Sequence, residues 1–356
     1  MTNPALYVDS NLTFSVTHTQ KPPSPDTGEI IIETHFSGAN PADIKHATIL
    51  GIYPTILGYD FCGKVIQTAS DNSPFQPGDI VAGFTPTGLG RKSKYGAHQR
   101  YLTCPEDLAF NVPSNLPEHH AASLSVVVMT AADALYNFFG FPLPSLDEDE
   151  GKGEGKVASP LLIWGASSSV GLAAVQFARV SGVYPIYVTA SSERHALLRE
   201  LGATQCYDYK SPTVVEEIKT ALRESKLELK HAFDAVGSND SAKLMADCTS
   251  PSTDTVLISS VLQDDPRFKM PFAAPGQDVT VELPGAPGTI TIPARPKDNQ
   301  RARKAFLWAV ENYGVKFEMP VVKIFEGSAE EALKELRELA GFGSGFGKVV
   351  LRHPLR

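Results

Sequence analysis

The stretch Leu161-Leu162-Ile163-Trp164-Gly165-Ala166-Ser167-Ser168-Ser169-Val170-Gly171 constrains the fold of this chain more than any other. Four apolar residues read as a buried strand. Apolar residues then recur at Val170, Ala173, Ala174, Phe177 and Ala178, the spacing of one helix face. Between them lies a turn of residues with almost no side chain. Such a strand–turn–helix lets backbone N–H groups and the positive end of the helix meet a pyrophosphate. Against the pattern G-x-G-x-x-G the match is partial: counting back from Gly171, the first two glycine places hold Ala166 and Ser168. A plain strand-to-helix connection stands as the alternative at this point.

The next apolar run sharpens the reading. Pro185-Ile186-Tyr187-Val188-Thr189 predicts a second strand, and in a dinucleotide fold the residue that judges the ribose 2′ position lies near its end. A bare 2′-hydroxyl asks for Asp or Glu there. This chain offers Ala190, Ser191, Ser192 and Arg194, with Glu193 among them. A hydroxyl and a guanidinium suit a 2′-phosphate. The expected cofactor is NADPH, bound by Ala166, Ser167, Ser168, Ser169, Val170, Gly171, Ser191 and Arg194.

The rest of the chain divides by pattern. Up to about residue 110, short β-type runs such as Ile30–Thr34, Gly63–Ile66 and Ile80–Phe84 are broken by Pro, Gly and Asn, predicting an all-β unit. Glu118 to Phe139 carries a helical stripe. Residues 145–156, rich in Asp, Glu and Gly, predict an exposed loop. Beyond Gly171, predicted helices (Ser192–Leu201, Val214–Ser225) alternate with predicted strands (Gln205–Tyr207, Ala232–Gly237, Thr255–Ser259). That alternation predicts a doubly wound parallel sheet. A proline-rich stretch from Pro266 to Pro296 breaks it. Helix Asn299–Asn312, strand Val321–Phe325, helix Ala329–Leu339 and strand Val349–Leu351 follow.

At 356 residues the chain has room for two domains. A net charge of −8 argues against nucleic acid as a partner. No apolar run approaches the ~20 residues of a membrane span, and Met1–Ala5 lacks the pattern of a signal peptide. Cys62, Cys104, Cys206 and Cys248 are scattered, as in a cytoplasmic protein with reduced thiols.

Taken together, these segments resemble the medium-chain dehydrogenase/reductase superfamily over nearly the whole chain. Asn40-Pro41-Ala42-Asp43-Ile44-Lys45, Gly58-Tyr59-Asp60-Phe61-Cys62-Gly63 and Phe75–Phe84 are similar to its GroES-like β domain. Gly165–Gly171, Leu201-Gly202-Ala203 and Asp208-Tyr209 are similar to its Rossmann part. The resemblance implies an α/β protein: a GroES-like β-barrel substrate domain (residues 1–127 and 293–356) and a Rossmann NADPH-binding domain (residues 128–292). The branch most resembled is that of fungal trans-acting enoyl reductases of polyketide pathways. Carried over residue by residue, that branch implies Lys45 and Thr130 near substrate, and Ser191, Arg194 and Tyr209 near the 2′-phosphate. It implies a carrier-bound or small-molecule enoyl substrate and a polyketide synthase partner, and leaves monomer and homodimer open.

Zinc alcohol dehydrogenases carry Cys and His ligands in the two N-terminal motifs, where this chain has the Asn-Pro-Ala-Asp run and Tyr59. A catalytic zinc needs three close protein ligands, so no metal is expected. Alcohol oxidation depends on such a Lewis acid, whereas reduction of an activated C=C bond needs only stabilisation of an enolate oxygen. Lys45 is the candidate cation, the alternative being a solvated lysine. Thr130 is a candidate donor, the alternative being a hydroxyl bonded to its own helix. Asn40 and Tyr59 are candidate pocket residues, with turn-building and packing as their alternatives. A quinone or free-enone reductase is the second reading, and a non-catalytic NADPH-binding protein the third.

Overall fold

The computed structural model describes residues 3–144, 157–237, 240–283, 285, 287–342 and 346–356. The predicted acidic loop 145–156 lies outside them. The chain forms two compact units: residues 1–126, 277–294 and 319–356, and residues 127–276 and 295–318. Residues 277–294 thus fall with the first unit and 295–318 with the second. The family resemblance implies a boundary at 292/293 instead, with 128–292 in one domain and 293–356 in the other.

The second unit is built on six parallel strands. Their order across the sheet is Gln205–Asp208, Val183–Ala190, Val157–Trp164, His231–Asp234, Val256–Ser259 and Phe268–Lys269. The chain starts in the middle, winds outward one way, then crosses back beside Val157–Trp164 and winds the other way. That is the doubly wound order, and its reversal opens a crevice at the carboxyl edge between Val157–Trp164 and His231–Asp234. Leu162, Trp164, Tyr187, Ile218, Leu222, Met245 and Leu257 form a core on one face of this sheet. The predicted strand Ala232–Gly237 stops at Asp234, because that carboxylate accepts the N–H groups of Val236 and Gly237 (3.1 and 3.0 Å) and bends the chain away. The proline-rich stretch also contains regular structure. It includes the sixth strand and an antiparallel hairpin, Val279–Glu282 with Thr289–Ile292.

In the first unit the long strand Glu29–Gly38 pairs with Asp60–Thr68 along one edge. On the other edge it pairs with Tyr101–Pro105 and, farther along, with Lys348–Arg352. Ile80–Phe84, Ala109–Asn111 and Val322–Phe325 complete this seven-stranded sheet. Ile30, Ile32, Phe61, Val65, Val81 and Leu102 fill one core. The unit is not all β. Residues Ala42–Leu50 form a helix that starts at Pro41 and ends at Gly51 in the left-handed region (φ 69°). Pro is tolerated at a helix start, and glycine is the residue that ends one with positive φ. The buried Ile44, Ala47 and Leu50 hold this helix in place, Ile44 and Ala47 within the core that also takes Leu333 and Leu336 of helix Ala329–Phe342. Downstream, the predicted helical stripe 118–139 is three pieces: Glu118–Ala121, Ser125–Ala132 and a wider π-type run Asp133–Phe138.

Candidate functional site

The glycine-rich turn sits at the carboxyl edge of the parallel sheet, on the crevice. Gly165 takes φ 75°, and its N–H donates to Thr189 Oγ1 at 3.0 Å. Ser168 caps helix Ser169–Val180: its Oγ accepts from Gly171 N at 3.0 Å and donates to Ala235 O at 3.2 Å. A Cβ on Gly171 would come within 2.6 Å of Gly165 O, so only glycine allows helix and turn to approach this closely. The third glycine is retained where crowding demands it, and Ser168 serves as an N-cap in place of the second. Ser169 and Val170 follow the cap, and their N–H groups precede the first intrahelical bond, from Leu172 N to Ser168 O. As the first N–H groups of a helix they have no intrahelical acceptor, which is what an anion site at a helix start requires. Ala166 is buried beneath the turn, whereas Ser167, Ser168, Ser169 and Val170 are half-buried.

Strand register brings the second group together. Ala190 lies opposite Asp208, so Ser191 and Tyr209 follow as neighbours at the same edge. Arg194 ends the short 3-10 turn Ser192–Arg194. Tyr209 is exposed, with the Lys210 ammonium 5.7 Å from its ring centre. The exposed Glu193 carboxylate is held below its usual range by its own backbone N–H and by Ser191, with Lys210 and Arg194 adding attraction. A hydroxyl and two cations thus already gather round one negative group here. The residues fit a dinucleotide: a turn that admits no side chain at Gly171, a capped helix start, and a polar, cationic edge one strand over.

The first unit holds the other candidates. Asn40 is buried. Its Nδ2 donates to Asp60 Oδ2 at 2.9 Å, its N–H to Asp43 Oδ2 at 2.7 Å, and its Oδ1 accepts from the Lys348 ammonium. Asp60 also accepts from Val126 N at 2.9 Å and lies 3.6 Å from Lys348 Nζ. Burial pushes the Asp60 carboxyl up and the Lys348 ammonium down, and each opposite charge pulls the other back. The network continues from Asp43 to His98 (3.0 Å), Ser37 (2.8 Å) and His353 (2.7 Å). Sequence reasoning missed Lys348, His98 and His353 as parts of one assembly.

Tyr59 is buried with its hydroxyl 2.9 Å from His46 Nδ1 and 3.4 Å from Thr87 Oγ1. The Arg91 guanidinium lies 4.5 Å from its ring centre. Arg91 is pinned by bonds to the carbonyls of Pro86, Ile56, Gly58 and Tyr95 and to Thr85 Oγ1, all between 2.6 and 2.9 Å. Burial holds the His46 imidazolium down to about 4, so the ring is neutral at neutral pH. Lys45 is half-buried on the same helix as His46, and Thr130 is half-buried near the end of helix Ser125–Ala132 in the other unit. Among the described residues, no group of three or more His, Cys, Asp or Glu side chains is arranged to hold a metal ion. The four cysteines are free. No described helix is long and apolar enough to cross a membrane.

Comparison with known proteins agrees with both halves. The family profile described as alcohol dehydrogenase GroES-like domain matches residues 26–114, and that described as zinc-binding dehydrogenase matches residues 169–282. The trans-enoyl reductase himH of Aspergillus japonicus is 36% identical over 215 residues, which span 60% of each chain. The trans-enoyl reductase resD of Aspergillus sclerotiorum is 28% identical over 352 residues, 95% of this chain and 96% of that one. Among solved structures, CurK enoyl reductase shares the fold with a TM-score of 0.68 at 17% identity, covering 98% of this chain and 99% of that one. The second profile is described as zinc-binding, yet the amide of Asn40 and the phenol of Tyr59 are not zinc-ligand types, so the residues here do not fit that metal.

Proposed function

The chain belongs to the medium-chain dehydrogenase/reductase superfamily, in its fungal enoyl-reductase-like branch, and from that premise we propose that it is an NADPH-dependent oxidoreductase. Its substrate is an α,β-unsaturated thioester carried by a fungal polyketide synthase in the cytoplasm, and the bond reduced is C=C. The observation that carries the cofactor choice is the strand register that sets Ser191 beside Tyr209, with Arg194 three residues on. A reduced nicotinamide, when bound, supplies the hydride.

The residues of the chain do the rest. Ser169 and Val170 N–H groups at the helix start hold the pyrophosphate, while Ser191, Arg194 and Tyr209 hold the 2′-phosphate. Thr130 orients the carboxamide of the ring. Lys45 places positive charge where the thioester carbonyl becomes an enolate, a transition-state interaction rather than a ground-state one. No step passes through a metal.

NADPH oxidation followed in parallel with crotonyl thioester, a quinone and a free enone tests the reading. The thioester is expected to turn over fastest. Faster turnover of the quinone or enone supports the second reading, and binding of NADPH without turnover of any acceptor supports the third.

A further inference from the structure

We propose that Asp133 is the positioning residue for Thr130, fixing where its hydroxyl stands beside the bound ring. The inference rests on the role given to Thr130 above and adds what holds it in place. Three residues apart, the two side chains leave the helix on one side, about 4.5 Å from each other along its axis. The regular stretch Ser125–Ala132 carries Thr130, and the wider π-type run Asp133–Phe138 begins on Asp133 itself. The winding therefore changes on the residue one turn beyond Thr130.

Asp133 is fully buried, and its two oxygens serve different segments. Oδ1 accepts from Asn137 Nδ2 at 2.9 Å, within the π-type run. Oδ2 accepts from Phe272 N (3.2 Å), Ala274 N (3.0 Å) and the Arg295 guanidinium. The segment on the Oδ2 side has an uncommon shape, with Ala273 at φ 51° and Ala274 at φ 48°. It is held from behind as well: Asn299 Nδ2 donates to Ala274 O (2.7 Å) and Arg295 N to Pro275 O (2.8 Å). Arg295 in turn bonds to Asp298 at 3.1 Å and lies 4.9 Å from the Phe138 ring centre. A carboxylate with donors from three stretches of chain has no freedom to slide.

Both features that meet here are unfavourable on their own. π-type runs are rare and gather at functional sites, and left-handed residues other than glycine persist only where neighbouring bonds over-determine them. An apolar residue at 133 in a plain α-helix would bury its surface with no charge to satisfy. Asp133 instead fixes the register of the helix against its surroundings, and Thr130 stands one turn away on that same side. Placement is what such a threonine needs, since a displacement of ~1 Å in an orienting group can lower a rate about a hundredfold.

The test is a double-mutant cycle on kcat, with NADPH and whichever acceptor wild type reduces fastest. Asp133→Asn keeps the shape and one acceptor oxygen. It should lower kcat about tenfold and leave the NADPH dissociation constant, read by fluorescence titration, as in wild type. Added to Thr130→Val, the same substitution should change kcat less than about twofold, because the hydroxyl it positions is gone. Should Asp133→Asn not fold, Asn137→Ala takes its place in the cycle, removing the donor to Oδ1 and leaving the other three. It should lower kcat about threefold alone and leave it unchanged when added to Thr130→Val. Equal factors in the two backgrounds overturn the positioning role alone, as does a wild-type kcat in Asp133→Asn. Thr130→Val with wild-type kcat overturns the role of Thr130, and the positioning with it. Wild type that reduces none of the thioester, quinone and enone overturns the oxidoreductase reading, and both with it.

Discussion

Around Glu193, a hydroxyl and two cations already attend one anion, and on the NADPH proposal a bound 2′-phosphate would share or take over those partners. Arg194→Ala should therefore weaken NADPH by roughly 1.5–3 kcal/mol, the scale of a hydrogen bond to a charged group, while NADH changes little. Glu193→Gln should act the opposite way, tightening NADPH by about twofold to fivefold, because an exposed repulsive charge is worth little. Fluorescence titration with both cofactors reads both outcomes, and equal NADPH and NADH affinity in wild type would overturn the choice. Lys45→Ala should lower kcat about tenfold to a hundredfold, roughly 1.4–2.7 kcal/mol, with NADPH affinity unchanged. Thr130→Val keeps the shape and removes the hydroxyl, so it isolates that one hydrogen bond. Full activity in both variants would leave these residues without a chemical role. Ser191 and Arg194 are legible as candidates from their offset beyond a predicted strand end, and Tyr209 only from the family resemblance. Lys348 is not, since its partner Asp60 lies far away in sequence and nothing near either residue names the other.

At the scale of elements, local pattern served where one helix face meets one core. Val214–Ser225 was predicted at its observed bounds, its buried Val214, Ile218 and Leu222 recurring every four residues. Pattern failed at Ala42–Leu50, where Asn40 reads as a turn residue although the Pro41 and Asp43 beside it are helix-start residues. It failed again across 118–139, where tertiary bonds break one stripe into three helices. Asp133 shows why. Fully buried, it accepts from Phe272 N (3.2 Å), Ala274 N (3.0 Å), Arg295 and Asn137 (2.9 Å), tying the π-type run to a segment where Ala273 and Ala274 hold positive φ. Those partners lie up to 162 residues away. Asp133→Ala removes the acceptor shared by two backbone N–H groups and by the partly exposed Arg295 guanidinium, which keeps Asp298, so it should cost about 1–3 kcal/mol of stability, measured by urea unfolding. A loss below about 1 kcal/mol would show that water replaces the carboxylate.

For the whole molecule, buried neutral histidines set the acid side of stability. Burial holds His353 at about 3 and His46 at about 4, below the unfolded value near 6.5. The unfolded chain therefore binds more protons between pH 6.5 and 4, and stability falls as pH falls through that window. Asp60 and Asp234, raised by burial, work the other way towards lower pH. The clean test is urea unfolding at pH 7 and pH 5, with a loss on the order of 1–3 kcal/mol expected and a flat response counting against neutral burial. One further consequence follows from the strand Lys348–Arg352, which closes the sheet against Glu29–Gly38 and brings the only cation within 4 Å of Asp60 among the described residues. A ribosome making this chain finishes Asp60 long before Lys348, roughly 15–60 s earlier at ordinary elongation rates. Throughout that interval a carboxylate destined for the interior has no counter-charge, and the sheet around it has an open edge. The unit that begins first is therefore completed last, and the nascent chain should stay protease-sensitive at its amino-terminal half until the final strand emerges.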